Sequence, residues 1–292
     1  MKIDLCAFAK INLLLDITGI KENGYHSLFT VMQSVGLYDK LTVEDADDGK
    51  ITVTCSDPDV PTGDENTVTR CAAQFLDAVG LAGRGVRIHI EKHIPAQAGL
   101  GGGSADGAAA LVALNTLFDA GLSERELCVL GGRVGADIPF CIVGGTALAL
   151  DTGLIVAPLP ALADCCVVIV KPDKNVSTKE AYAAVDEIEI KHPRNTAMLD
   201  AIVSGEFETA MKLCANVFEQ AVNVPGRVDI KHIMLQHGCL AACMSGSGSA
   251  VYGIFSDITT ADACAEALEE QFPSVFVCEP KKAGCEILEI TA

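Results

Sequence analysis

"PAQAGLGGGSADGAAALVAL", residues 95–114, places four glycines among the five residues from Gly99 to Gly103 and then runs into a helix-forming stretch of alanine and leucine. A turn needs one or two glycines. This many let successive peptide N–H groups face a shared concavity with no Cβ in the way. The helix that follows adds unpaired N–H groups and the positive end of its dipole, so the segment reads as an anion cradle of the kind that holds phosphate. Two familiar cradles are excluded. No Gly-Lys-Ser/Thr ending follows, and G-x-G-x-x-G fails in register, because Gly99 and Gly101 lead to Ser104 while Gly101 and Gly103 lead to Asp106. The preceding strand, "VRIHI" (86–90), reaches the loop through a connection interrupted at Pro95 rather than a tight turn.

Outward from this loop, the first third of the chain carries strand patterns at 3–18, 39–46, 50–55 and 85–90, separated by Asn23-Gly24, Asp48-Gly49 and Pro58–Gly63. Residues 66–80 read as a helix closed by Gly80. Residues 104–120 read as another, with Leu111, Leu114, Leu117 and Phe118 on one face. Ser123 and Glu126 form a capping box for a third. The Pro158–Pro160 region is the expected boundary between an N-terminal domain (1–158) and a C-terminal domain (159–292). Strands and helices mingle without βαβ alternation, so the expected class is α+β.

The chain has 292 residues, half of them hydrophobic, and a net charge of −18. That charge argues against nucleic acid or an anionic membrane as a partner. A polyphosphate would have to be held by local donors. The 13 cysteines include no C-x-x-C pair and read as reduced core thiols. Asp4 and Lys10 interrupt what would be a signal core, and two prolines and Asp164 break the apolar stretch 154–170. A cytoplasmic protein without a membrane span is therefore expected.

Three segments stand in order: "AFAKINLLLDITGIKENGYHSL" (7–28), the glycine loop, and "MSGSGSAVYGIF" (244–255). They resemble the three motifs of the GHMP kinase superfamily, which includes galactokinase, homoserine kinase, mevalonate kinase and phosphomevalonate kinase. With "GADIPF" (135–140), the pattern is closest to the branch whose acceptor carries cytidine diphosphate. The resemblance spans essentially the whole chain. It implies a two-domain α+β fold with the site in the cleft between N- and C-terminal domains. It also implies transfer of a phosphoryl group from ATP, accompanied by magnesium, to the 2-hydroxyl of cytidine diphosphate-linked methylerythritol, a small-molecule substrate of the non-mevalonate isoprenoid route.

Each site residue has a plainer reading beside the functional one. Pro95, Ala96, Gln97, Ala98, Gly99, Leu100, Gly101, Gly102, Gly103, Ser104 and Ala105 would cradle the phosphates, Ser104 adding a hydroxyl at the helix start. Asp106, placed in the first helical turn, would pair with the helix dipole. Asn66 lies where related kinases contact adenine and is equally suited to cap the following helix. Asp137, two residues before Pro139, reads as a helix cap or, through the family, as the carboxylate that orients the acceptor hydroxyl. Lys10 is either solvated on a half-buried strand or that carboxylate's partner, and Asn12 shares its face toward the polyol. Tyr25 and His26 would read a cytosine ring, with Tyr182 either the second face of the sandwich or a core residue. Ser245–Ser249 closes the site or is a glycine-rich hairpin. No metal ligands are identifiable. A homoserine or mevalonate kinase, and a regulatory nucleotide binder without chemistry, remain as alternatives.

Overall fold

In the computed structural model, which describes residues 1–291, the first segment forms two very long strands, β1 (Lys2–Ile20) and β2 (His26–Ala46). They pair antiparallel from Lys2↔Glu44 to Ile20↔His26. There follow β3 (Ile51–Cys55), helix α1 (Thr67–Ala78), β4 (Gly85–Glu91), α2 (Gly102–Leu117), α3 (Glu124–Gly132), α4 (Ile138–Val143), β5 (Thr146–Asp151) and β6 (Ile155–Pro158). The second part runs β7 (Cys166–Val170), α5 (Thr178–Asp186), α6 (Asn195–Val203), α7 (Phe207–Lys212), β8 (Ala215–Asn216) and a 3-10 turn (Val217–Gln220). It continues through α8 (Arg227–Gln236), β9 (Ala241–Met244), β10 (Val251–Phe255), α9 (Ile258–Glu269), β11 (Val275–Cys278) and β12 (Cys285–Thr291).

The strands form an eight-stranded sheet, β12-β1-β2-β4-β3 with β5 along β2, β6 beyond β5 and β8 beside β1, and a four-stranded sheet, β11-β7-β10-β9. The length of β2 explains the branching. Its first half pairs with β5 (Leu28↔Asp151 to Gln33↔Thr146) and its second half with β4 (Lys40↔Glu91 to Ala46↔Gly85). Strand β1 is shared likewise between β12 over Lys2–Ala7 and β8 at Leu14–Leu15. Register shifts at Phe8/Ala9 and Asn12/Leu14 bend it between those two partners. In that gap the Lys10 N–H donates to the Leu100 carbonyl (2.9 Å), so the glycine loop docks on the edge of β1 opposite β2, between β12 and β8.

Elements of both classes interleave, as an α+β chain should. The chain leaves the first sheet after β6, at the expected boundary near Pro158, but re-enters it twice, as β8 and as β12. The strands therefore do not sort by a single cut at 158/159. Helix α2 also differs from its one-faced reading. It starts at Gly102, and nearly every residue from Ala105 to Leu114 is buried, between α1 on one side and β1 and β2 on the other. Alanine at 105, 108, 109, 110 and 113 lets these neighbours approach closely, so the helix is central rather than amphipathic. Ala109→Leu, forcing three extra carbons into this fully buried seam, is expected to lower the unfolding free energy by about 1–3 kcal/mol in denaturant titration. Unchanged stability would contradict the packing described.

Candidate active site

The glycine loop is held by its carbonyls. Gln97 O accepts from Val176 N–H, Ala98 O from Ala250 N–H (3.0 Å), Gly99 O from the Ser245 hydroxyl (2.8 Å) and Leu100 O from Lys10 N–H. Among the described residues, no acceptor takes the N–H groups from Gly99 to Ser104. Four carbonyls turn into the protein and leave a run of free N–H groups along a cavity of about 920 Å³, a geometry able to accept an anion. The glycines divide by role. Gly99 (φ +76°) and Gly101 (φ +72°) adopt left-handed backbone. A Cβ on Gly99 would overlap the Ser245 carbonyl, and one on Gly101 would sit 2.9 Å from Lys10 Cγ. Gly102 and Gly103 are the first residues of α2.

Of the site residues singled out from the sequence, Ala105 turns wholly into the core on the inner face of α2, and only Gly246 and Ser247 of the Ser245–Ser249 turn reach the cavity; the others line it. Lys10 is not solvated: its side chain is 5% exposed. Its ammonium donates to Asn12 Oδ1 (2.8 Å) and faces Asp137 Oδ2 at 3.6 Å. Asp137 occupies the residue before α4 in helical dihedrals (φ −83°, ψ −11°), which aim its carboxylate away from the helix N–H groups, so it makes no capping bond. The carboxylate is instead partly exposed to the cavity beside Lys10.

Asn12 is almost fully committed inside the protein. Its Oδ1 accepts from Lys10 and from the Gly246 N–H (2.9 Å), and its Nδ2 donates to Thr30 Oγ1 (2.8 Å), leaving one amide hydrogen for a ligand. Asn66 does cap α1, accepting from Val68 N–H (2.7 Å), while its amide donates to Pro61 O (2.6 Å). Ser245–Ser249, between β9 and β10, is buried against the glycine loop, with Ser247 on the cavity wall 3.3 Å from the Thr178 hydroxyl.

At the far end Tyr25 is 64% exposed. His26 and Tyr182 do not face each other across a gap. Their rings lie stacked, centroids 4.5 Å apart, with His26 Nε2 2.7 Å from Asp186 and the Tyr182 ring edge-on to Phe218. Tyr182 is thus backed on one face by His26. Burial and, secondarily, the Asp137 charge push its phenol up, keeping it neutral.

Sequence reading missed Lys92 and Asp39 and misplaced Asp106. With α2 beginning at Gly102, Asp106 lies in the second turn. It is buried, and its Oδ2 accepts from the Lys92 ammonium (3.0 Å), which also pairs with Asp39. Burial alone would lower Lys92, but the charges of Asp106 and Asp39 outweigh it and hold the ammonium above its usual range. A charged residue in "IEKHIP", between an alternating strand and a proline, was the available signal.

Sequence models for the GHMP kinases N terminal domain and the GHMP kinases C terminal match residues 66–145 and 198–274. The chain is 39% identical over 274 residues to a 4-diphosphocytidyl-2-C-methyl-D-erythritol kinase of Clostridium acetobutylicum, covering 93% of this chain and 97% of the relative. The chain belongs to the GHMP kinase family. A relative of the same name from Caldicellulosiruptor bescii is 42% identical over 91% of this chain and 93% of its own. A crystal structure of 4-(cytidine 5'-diphospho)-2C-methyl-D-erythritol kinase superposes with a TM-score of 0.78 at 32% identity, covering 96% of this chain and 99% of that one. Homoserine kinase from Cytophaga hutchinsonii shares the fold, with a TM-score of 0.79 at 20% identity over 98% of this chain and 97% of that one. No helix among the described residues of this GHMP kinase is long and apolar enough to cross a membrane.

The division among the glycines predicts opposite outcomes. Gly103→Ala, whose Cβ would meet nothing closer than the Thr67 hydroxyl at 3.7 Å, should be neutral or stabilise α2 by up to about 1 kcal/mol. Gly99→Ala should destabilise by about 2 kcal/mol or more through strain and the clash with Ser245. Equal effects in denaturant titrations would mean the loop is merely flexible.

Proposed function

We propose that this chain transfers the γ-phosphoryl group of ATP to the 2-hydroxyl of 4-diphosphocytidyl-2-C-methyl-D-erythritol, a step in the non-mevalonate route to isoprenoid precursors. The observation that carries the reading is the Lys10–Asp137 pair. It is set on the wall of the same cavity as the free N–H groups of Gly99–Ser104, with the aromatic corner of Tyr25, His26 and Tyr182 also on that wall. The names of the full-length relatives supply the acceptor.

Phosphoryl transfer asks for a fixed triphosphate, neutralised charge and an acceptor oxygen in line. The N–H groups of the loop and the α2 N-terminus hold the phosphates, and Asn66 and Ser104 border the same nucleotide subsite. Tyr25 offers an exposed ring for stacking on the cytosine, and the His26–Tyr182 stack forms the wall beside it. The acceptor oxygen attacks the γ-phosphorus as the bond to the bridging β–γ oxygen breaks, and the electron pair leaves with ADP. The hydroxyl proton passes to the Asp137 carboxylate, which the Lys10 ammonium, 3.6 Å away, holds in place. Among the described residues no three His, Cys, Asp or Glu side chains cluster as a cage. The free N–H groups of Gly99–Ser104 and the Ser104 hydroxyl suit a triphosphate that would carry magnesium with it, and the ion would supply charge neutralisation.

Incubating the protein with magnesium, ATP and the cytidine-linked acceptor should consume ATP and yield a product heavier by one phosphate. Homoserine, mevalonate and methylerythritol 4-phosphate should be poor acceptors or none. Equal turnover of homoserine or mevalonate would overturn the assignment. Asp137→Asn and Lys10→Met should lower kcat about a hundredfold or more with far smaller changes in either KM. Near-normal turnover of Asp137→Asn would remove Asp137 from the mechanism. Tyr25→Ala should raise the acceptor KM and leave that for ATP unchanged, stacking being worth on the order of 1–3 kcal/mol.

A further inference from the structure

Directly behind the phosphate cradle lie two buried carboxyls and one ammonium. Asp39 on β2 is 0% exposed and Asp106 on α2 3%. The Lys92 side chain, from the connection between β4 and α2, is 8% exposed. The two acids are not equivalent. Asp39 Oδ1 accepts from the backbone N–H groups of His93 (2.6 Å) and Ile94 (2.8 Å), and its Oδ2 from Lys92. Asp106 has Lys92 alone on Oδ2, and its Oδ1 is buried with no partner.

One ammonium cannot neutralise two buried carboxylates, and a desolvated negative charge without donors is strongly disfavoured. The proton therefore belongs on Asp106. Burial, helped by the neighbouring Asp39 and opposed by Lys92, pushes its carboxyl up to about 8. The remaining groups around it do not change this balance. Cys55 on β3, Cys71 on α1, Cys141 on α4 and Cys285 on β12 are all pushed up by burial and stay neutral. Lys10 of β1, packed against Gly101, is engaged with Asn12 and Asp137. The face of α3 toward α2 is apolar, with Leu127 and Leu130 buried.

We propose that Asp106 is a proton-linked positioning residue for the nucleotide: binding of a triphosphate in the glycine cradle draws a proton from solvent onto the Asp106 carboxylate, and loss of that proton weakens nucleotide binding. The inference rests on the nucleotide reading of the loop given above. Asp106 and the α2 N-terminus share one rigid helix, and both line the cavity, so an anion at the cradle and an ionised Asp106 are like charges in a poorly solvated place. The sign follows. A carboxyl raised in the free protein is raised further by the bound anion, so proton uptake peaks between the two values, just above pH 8, and vanishes well below it, where Asp106 is already protonated.

Calorimetric titration of MgATP alone into the protein, in two buffers of different ionisation enthalpy, reads this directly. At about pH 8.5 the wild type should take up about half a proton per nucleotide, and at about pH 6.5 almost none. Asp106→Asn, the isosteric neutral form, should bind MgATP with no buffer-dependent heat and an affinity flat across this range, where the wild type weakens by up to about tenfold. Binding without uptake at the higher pH, or equal uptake in Asp106→Asn, overturns the inference and leaves the kinase reading standing. No MgATP binding at either pH overturns the kinase reading itself. Should Asp106→Asn not fold, the wild-type comparison between the two pH values decides alone.

Discussion

The amide of Asn12 is the small group on which the site depends. It sits on β1, in the stretch covered by neither β12 nor β8, with its side-chain oxygen accepting from Lys10 and from Gly246 while its nitrogen ties to Thr30 on β2. Through Gly246 it fixes the serine-rich turn, whose Ser245 hydroxyl holds the carbonyl of Gly99. Its own backbone carbonyl accepts from the buried Tyr252 hydroxyl on β10 (2.8 Å), and Asn216 binds the same turn through the carbonyls of Met244 and Gly246. Three sequence segments that lie more than two hundred residues apart at their extremes thus meet on one planar group. In a buried setting, each bond left unmade would cost free energy on the order of 1–3 kcal/mol, so these segments have one arrangement rather than several.

The same economy governs charge. A chain with net charge −18 opposes a polyphosphate at long range, so attraction must be local. On the proposed reading that attraction comes from backbone dipoles and from two buried cations, Lys10 beside Asp137 and Lys92 between Asp39 and Asp106. Paired buried cations orient as much as they attract. That suits a reaction in which positioning supplies most of the rate.

What could be read from the sequence was whatever depends on local chemistry. Four glycines before an alanine run announce free N–H groups ahead of a helix, Ser123 and Glu126 announce a capping box that the structure contains, and Lys10 in an apolar strand is conspicuous. Non-local pairing was out of reach. Nothing in "CEILEIT" indicates that it returns to pair with Lys2–Ala7, and the match of 285–291 to the opposite end of the chain is set only in the folded sheet. Errors of a residue or two also changed meaning. Starting α2 at Gly102 rather than Ser104 moves Asp106 from a dipole partner in the first turn to a buried acid in the second. Asp137, whose neighbours Ile138-Pro139 look like a helix start, has the position of a cap but not its dihedrals. The stacking of His26 on Tyr182 joins residues 156 apart in the chain, and only the fold brings them together.

If the Asn12 amide holds both loops in place, removing it must loosen them together. Hydrogen exchange followed by mass spectrometry on the wild type and Asn12→Ala measures this most directly. The expected result is faster exchange both at the N–H groups of Lys10, Val176 and Ala250, which hold the glycine-loop carbonyls, and at those of Ser245, Gly246 and Gly248 in the serine-rich turn, with the strands of the second sheet unaffected. Faster exchange in one of these two sets alone, or in neither, would contradict the account.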